Sequence, residues 1–184
     1  MRYKRLYECF THWYHGGEIF FYSDPHFNDG EMMYLRKNYI GDDEQVKKIN
    51  SVIGRTDTLI LLGDIGDIEF LKKVRGYKVL ILGNHDKGAT YYKDVVDEVY
   101  TGPLLISDKL ILSHQRIDLP FFYNVHGHEH SNGDTYNSMN VCCENIGYTP
   151  VRLSSVLDNE DFRNIENIHT QQIRESVIKN ENKQ

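Results

Sequence analysis

Apolar runs of strand length are separated, in the first half of the chain, by stretches in which apolar residues recur at helical spacing. The runs cover residues 19–22, 58–62 and 78–82, and two of them are nearly continuous hydrophobes. Such runs are typical of strands in a sheet that is covered on both faces. The alternation of strand and helix patterns predicts an α/β fold.

The helical patterns cover residues 46–53, 68–74 and 89–96. The first follows Asp42 and Asp43, whose negative charge suits a helix N-terminus, and it ends before Gly54. The second precedes Gly76. We expect these segments to be helices that connect the strands.

The second half contains strand patterns that follow one another closely, at residues 109–113, 121–125, 139–143 and 151–153. Because these leave no room for helices between them, we expect more antiparallel pairing there. Residues 154–178 keep an apolar stripe that includes Phe162, Ile173 and Val177, which predicts a packed terminal helix, and residues 179–184 should fray. The length of 184 residues predicts a single domain over 1–184 with a core at 18–153.

Charge and cysteine content narrow the class of partner and the compartment. Lys and Arg number 21 against 27 Asp and Glu, a net charge of −6, so nucleic acid is not the expected partner. No apolar run approaches the length of a signal peptide or a membrane span, which predicts a cytoplasmic protein without a membrane partner. Cys9, Cys142 and Cys143 lack zinc-site spacing and are predicted to be free thiols.

Groups that bind metals or transfer protons follow five of the predicted strands directly. Ligand sites of open α/β sheets lie at such strand ends. Taken alone, each of these groups also suits a turn or a helix cap. Taken together, the five groups place most of the histidines of the chain at one edge of the predicted sheet. Imidazole and carboxylate without thiolate favour Mn, Fe, Zn or Ni. The endings are Asp24-Pro25-His26, Gly63-Asp64, Gly83-Asn84-His85-Asp86, Ser113-His114 and Gly127-His128-Glu129-His130.

In this order the five motifs resemble those of the calcineurin-like metallophosphoesterases, and the chain around Ser23-Asp24-Pro25-His26-Phe27 resembles their compact bacterial and bacteriophage branch. The resemblance spans residues 24–130. It implies a layered α/β/β/α sandwich with mixed sheets. It also implies a hydrolase of phosphate esters that uses two divalent metal ions, with Mn the first choice and Fe, Zn, Ni or Mg as alternatives.

The resemblance further implies a role for each motif residue. Asp64 bridges the two metals, a hydroxide between them is the nucleophile, and His85 is the general acid. Asp86 either orients His85 or caps a turn. Asp67 supports the first metal's histidines, and His126 lies outside the family's ligand pattern. Apart from the resemblance, Arg116 could reach a phosphate, but an exposed Arg after a strand usually has no specific role. The expected ligands are Asp24, His26 and His130 for one metal and Asn84, His114 and His128 for the other.

Two other functions stay open at this point. A noncatalytic relative would keep the fold and the metals as a scaffold for a protein partner, although the ligands and His85 are all present here. A nuclease would apply the same chemistry to a polynucleotide and would need stacking aromatics, for which Tyr91-Tyr92 and Phe121-Phe122-Tyr123 are candidates. The expected substrate is a small phosphate ester, either a monoester or a diester, and the sequence gives no sign of the oligomeric state.

Overall fold

The computed structural model describes residues 6–36, 38–166 and 168–181. Two sheets pack against each other, and helices cover them. The strands are β1 (Ile19–Tyr22), β2 (Thr58–Leu61), β3 (Tyr77–Ile81), β4 (Glu98–Tyr100), β5 (Leu104–Ser107), β6 (Leu110–Leu112), β7 (Tyr123–His126), β8 (Ser138–Asn140) and β9 (Val151–Arg152). The helices are α1 (Gly30–Leu35), α2 (Asp42–Val52), α3 (Ile68–Leu71), α4 (Leu153–Asp158), α5 (Glu160–Asn164) and α6 (Ile168–Glu181).

Both sheets are mixed, which confirms the predicted α/β sandwich. The first has the order β4-β3-β2-β1-β9, in which β1 to β4 are parallel and β9 is antiparallel to β1. The second has the order β5-β6-β7-β8. Its β5–β6 pair is antiparallel, but β6, β7 and β8 are parallel. The expectation of antiparallel pairing was wrong there, because the loops at 113–122 and 127–137 are long enough to return the chain.

Strands β1, β2 and β3 of the first sheet each contribute to two cores, which explains their largely hydrophobic sequences. Phe21 of β1 and Ile60 of β2 belong to the core that also contains Val125 of the second sheet. Phe20 and Leu59 face the other way, into the core formed with α2 and α3. Successive side chains of a strand point to opposite faces, so burial on both faces requires apolar residues at every position.

Several predicted elements are changed or absent. The helix expected at 89–96 is only a 3-10 turn at Ala89–Tyr91, and α1, β4 and β5 were not predicted. The C-terminal stripe packs at Phe162, but Ile173 and Val177 of α6 are exposed, so the expected packing was wrong there. Residues 179–181 belong to α6, and the rest of the tail predicted to fray lies outside the described residues, as do residues 1–5.

The three cysteines are free thiols, as predicted. Cys142 and Cys143 are buried, whereas Cys9 is exposed. Among the described residues, no helix has the length and apolar character needed to cross a membrane.

Glu98 of β4 ties the N-terminal segment to the edge of the first sheet. Its carboxylate accepts hydrogen bonds from Trp13 Nε1 at 3.0 Å, Tyr77 Oη at 2.8 Å and Tyr100 Oη at 2.5 Å. His12 Nε2 lies 2.9 Å away. Although partial burial acts in the opposite direction, these hydrogen bonds hold the pKa of Glu98 below its ordinary value. The ionised carboxylate therefore stabilises the fold.

We expect Glu98→Gln to lower the free energy of unfolding by roughly 1–3 kcal/mol at neutral pH, because three donors lose a charged acceptor. The depressed pKa means that this stabilisation is full above the ordinary glutamate pKa and is lost as the pH falls through the folded-state value. Urea unfolding should therefore show a difference in the free energy of unfolding between the two proteins that becomes smaller in acid. Glu69→Gln is the control: it breaks an exposed ion pair with Lys72 and should change the free energy of unfolding very little. Equal stabilities at neutral pH would contradict this account of Glu98.

Candidate metal centre

The carboxyl ends of the parallel strands of both sheets meet at one edge of the sandwich. Asp24 and His26 follow β1, Asp64 follows β2, and Asn84 follows β3. The second sheet supplies the remaining histidines: His114 follows β6, and His128 and His130 follow β7. The seven residues predicted as metal ligands are thus brought together from five loops.

Asp24, His26 and His130 form a first group that can hold a cation. Their ligand atoms lie within 4.8 Å of one another. Asp24 Oδ1 is 3.9 Å from His26 Nε2 and 3.7 Å from His130 Nε2. Asp24 Oδ1 and His26 Nε2 are both buried without a hydrogen-bond partner among the described residues. Because unpaired buried polar atoms are costly, this arrangement fits a bound metal ion.

Asp64, His114 and His128 form a second group with the same spacing limit of 4.8 Å. His114 Nε2 is 3.4 Å from Asp64 Oδ2, 3.2 Å from His128 Nδ1 and 2.8 Å from Asn84 Oδ1. The amide oxygen of Asn84 therefore faces the same point as the other donors. The second group thus contains an oxygen and nitrogen donor set that suits a divalent ion.

Asp64 lies between the two groups. Its Oδ2 is 3.6 Å from His26 Nε2 and 3.4 Å from His114 Nε2, so a single carboxylate faces histidines of both groups. Its Oδ1 accepts a hydrogen bond from the backbone N–H of His85 at 2.9 Å. Two neighbouring dications repel each other, and a carboxylate between them reduces that repulsion. The position of Asp64 meets this requirement.

The backbone of the ligand loops adopts conformations that are rare outside glycine. Asp24, His26, Asp64 and His128 all have positive φ, between 45° and 67°. Non-glycine residues in this region carry a conformational cost, and such residues cluster at functional sites. The strain is thus concentrated in the residues that supply the candidate ligands.

Two motif glycines are required by close approach of the chain to these ligands. A Cβ at Gly127 would overlap Ser23 Oγ and Asp24 Oδ2, and a Cβ at Gly83 would overlap Asp64 Oδ1. Both glycines therefore let a neighbouring loop pass directly over a candidate carboxylate ligand.

Three of the histidines are held by a partner on the ring nitrogen that faces away from the metal group. His26 Nδ1 lies 3.4 Å from Asp29 Oδ2, and His114 Nδ1 lies 2.7 Å from the Leu62 carbonyl. His130 Nδ1 lies 2.6 Å from Glu144 Oε1. Such partners fix the tautomer that leaves Nε2 free for a metal. Glu144 was missed from the sequence, although it directly follows the predicted strand at 139–143, and Asp29 gave no comparable signal.

The histidines of the centre have opposite pKa shifts. Burial lowers the pKa of His26, which favours the neutral ring that metal binding requires. Burial acts in the same direction on His114 and His130, but it is outweighed by Asp64 and Glu144 respectively, together with Asp24, so both pKa values are raised. The carboxylates thus attract positive charge to the centre.

The loop after β3 places His85 at the surface of the site. The His85 ring is exposed and its centroid is 5.6 Å from that of His26. Asp86 accepts hydrogen bonds from the backbone N–H groups of Asp64, Ile65 and Gly83 and from Tyr92 Oη. These contacts fit the capping role considered for Asp86, and a catalytic role for it stays a prediction.

Three further residues singled out in the sequence lie outside both groups. His126 is buried and contacts the Gly127 carbonyl through Nδ1. Asp67 is the N-cap of α3, and Arg116 Nε lies 3.6 Å from Glu129 Oε1 in a half-exposed ion pair. Their contacts are those of residues that support the surrounding structure.

Comparison with protein-family models gives no match, and no curated protein matches the chain. Among solved structures, the chain is similar to AQ665 of Aquifex aeolicus, a protein of unknown function, with a TM-score of 0.66 and 24% identity over 76% of this chain and 97% of that one. It also matches nuclease MPE of Pseudomonas putida, with a TM-score of 0.46 and 18% identity over 64% of each chain. The first similarity shows the fold alone, and the second is too distant to support an argument.

Divalent ions are expected to raise the thermal unfolding midpoint, because the two groups assemble only in the folded chain. Each site would add about 2.7 kcal/mol at an ion concentration near one hundred times its dissociation constant. Asp64→Asn should remove most of this gain, because it discharges the carboxylate that faces both groups, whereas Asp67→Asn should retain it. Calorimetric scans with and without Mn²⁺ measure the difference. A gain of the same size in Asp64→Asn would show that Asp64 binds no metal.

Proposed function

We propose that this chain is a metal-dependent hydrolase of phosphate esters and a member of the calcineurin-like metallophosphoesterases. The observation that carries the proposal is the arrangement of two metal-competent groups around the single carboxylate of Asp64. Two divalent ions held there would supply Lewis-acid chemistry, withdrawing charge from phosphoryl oxygens and activating water.

The proposed ligands are the residues whose carboxylate or amide oxygens and imidazole nitrogens point toward the same two positions. This donor set suits Mn²⁺, our first choice, and also accommodates Fe, Zn, Ni or Mg. Asp64 serves both ions, so it is the residue on which a dinuclear centre depends. We assign Asp24, His26 and His130 to the first ion and Asn84, His114 and His128 to the second.

His85 is the proposed general acid. It lines a cleft of about 540 Å³ together with Lys87 and Tyr91, beside the first group. An exposed imidazole there can exchange protons with solvent and donate one to the departing alkoxide. The Asp64 carboxylate accepts a hydrogen bond from the His85 backbone N–H, and Asp86 accepts one from the Gly83 backbone N–H in the same loop. These hydrogen bonds hold the backbone from which the His85 ring projects.

The surroundings favour a small substrate over a polynucleotide. The net charge is −6, and the half-exposed Arg116 pairs with Glu129. Neither feature provides the broad positive charge that binds a polynucleotide. Among the aromatics a nuclease would use for stacking, Tyr92 and Tyr123 are buried, and Tyr91 is 37% exposed. We therefore propose a small phosphate monoester or diester as substrate, with a nuclease as the second choice.

Metal-stripped protein should hydrolyse bis(p-nitrophenyl) phosphate or p-nitrophenyl phosphate only after Mn²⁺ is restored. His85→Ala should lower kcat by about 10²- to 10⁴-fold, because the leaving group loses its proton donor, while Mn²⁺ binding measured by calorimetry stays the same. His169→Ala, on α6, is the matched control.

Unchanged turnover in His85→Ala would exclude the proposed general acid. Folded, metal-loaded protein that hydrolyses neither ester with any divalent ion would instead support a noncatalytic scaffold. Cleavage of single-stranded DNA with a steep salt dependence would support the nuclease.

A further inference from the structure

An ion pair between a buried arginine and a partly buried glutamate lies behind the first metal group, and it was not predicted from the sequence. Arg36, the residue after α1, has a side chain that is 2% exposed, and its Nε is 3.7 Å from Glu144 Oε1. The same carboxylate oxygen is 2.6 Å from His130 Nδ1. Cys143 Sγ donates to Glu144 Oε2 at 3.1 Å. Glu144 therefore connects a candidate ligand to a buried guanidinium.

Arg36 also holds the turn that carries the other two members of the first group, Asp24 and His26. Its Nη2 donates to the carbonyl of Asp24 at 2.5 Å, and its Nη1 donates to the carbonyl of Pro25 at 3.0 Å. Both carbonyls belong to the turn in which Asp24 and His26 have φ values of 56° and 45°. Guanidinium geometry allows one side chain to bind both carbonyls while facing a carboxylate. Arg36 thus stabilises a turn in which Asp24 and His26 adopt unfavourable φ values.

We propose that the Glu144–Arg36 pair is a positioning device for the first metal group, with Glu144 fixing the His130 ring and Arg36 fixing the Asp24–His26 turn. This inference rests on the proposed function. Glu144 contacts the His130 ring, and Arg36 contacts the backbone of the turn that carries Asp24 and His26. Among the residues that the structure describes, no hydrogen bond or ion pair links Glu144 or Arg36 to Asn84, His114 or His128. Its loss should therefore weaken one metal site selectively.

The chemistry of the pair explains why both members are charged. A carboxylate that accepts a hydrogen bond from His130 Nδ1 orients the ring and makes Nε2 a stronger electron-pair donor to a metal ion. Even partial burial of that carboxylate without a cation is costly, and Arg36 supplies the positive charge. A neutral hydrogen-bond acceptor in place of Glu144 would leave the Arg36 charge unpaired in the interior.

Isothermal titration of metal-free protein with Mn²⁺ tests the proposal without measuring turnover. In Glu144→Gln and in Arg36→Lys, one of the two Mn²⁺ equivalents should bind about 10- to 100-fold more weakly, and the other should keep the wild-type affinity. Glu129→Gln is the matched control, because Glu129 is a half-buried carboxylate that pairs with Arg116 beside the same centre. Thermal unfolding establishes that each variant is folded.

Long-range ¹H–¹⁵N NMR of the metal-free protein gives a second measurement. At a pH at which the His130 ring is neutral, it should carry its proton on Nδ1 in the wild-type protein and should populate both tautomers in Glu144→Ala. Wild-type affinity for both Mn²⁺ equivalents in folded Glu144→Gln and Arg36→Lys would overturn the proposal, as would an unchanged His130 tautomer. Wild-type protein that binds two ions but hydrolyses no ester would refute the proposed function and leave this inference standing; protein that binds no ion would refute both.

Discussion

The structure depends on burying the carboxylate of Asp24 completely. Its Oδ2 accepts from Ser23 Oγ at 2.5 Å, from the His128 backbone N–H at 2.9 Å and from Cys142 Sγ at 3.2 Å. Its Oδ1 has no hydrogen-bond partner among the described residues and faces His26 and His130. A buried anion that is half satisfied requires positive charge on its other side. The two sheets are joined around this requirement, since Ser23 and Cys142 also pair across them.

The strained loops and the motif glycines are consequences of the same convergence. Five loops must place side chains around two points, so backbones pass close to carboxylates and several ligands adopt positive φ. The conformational free energy of these positive φ values is offset by the parallel strands that anchor the loops and by hydrogen bonds such as those from Arg36 to the Asp24–His26 turn. Gly83 and Gly127 are therefore part of the site, although neither offers a ligand atom.

Residues that precede or follow strands could be predicted from the sequence, and residues that act through tertiary contacts could not. Strands β1, β2 and β3 and the convergence of Asp24, Asp64 and His130 follow from apolar runs that end in polar groups, whereas β4 was not predicted. The parallel pairing of β6 to β8 depends on the paths of loops, which have no periodic pattern. Arg36 lies after a short helix with no buried residue, so local sequence gives no reason to connect it with Glu144.

The residues that contact the histidines from behind differ in charge between the two metal groups. Behind the first group, Asp29 and Glu144 contact His26 and His130, and Arg36 only partly offsets these carboxylates. Behind the second, the partner of His114 is the neutral Leu62 carbonyl, and its neighbour Asn84 is neutral as well. Coulomb attraction is stronger where solvent is partly excluded, as at Glu144, and weaker at the more exposed Asp29. The additional negative charge should therefore make the first group attract a cation more strongly than the second. The asymmetry arises because Asp29 and Glu144 provide the carboxylates behind the first group, whereas the backbone carbonyl of Leu62, the residue after β2, is the partner behind the second.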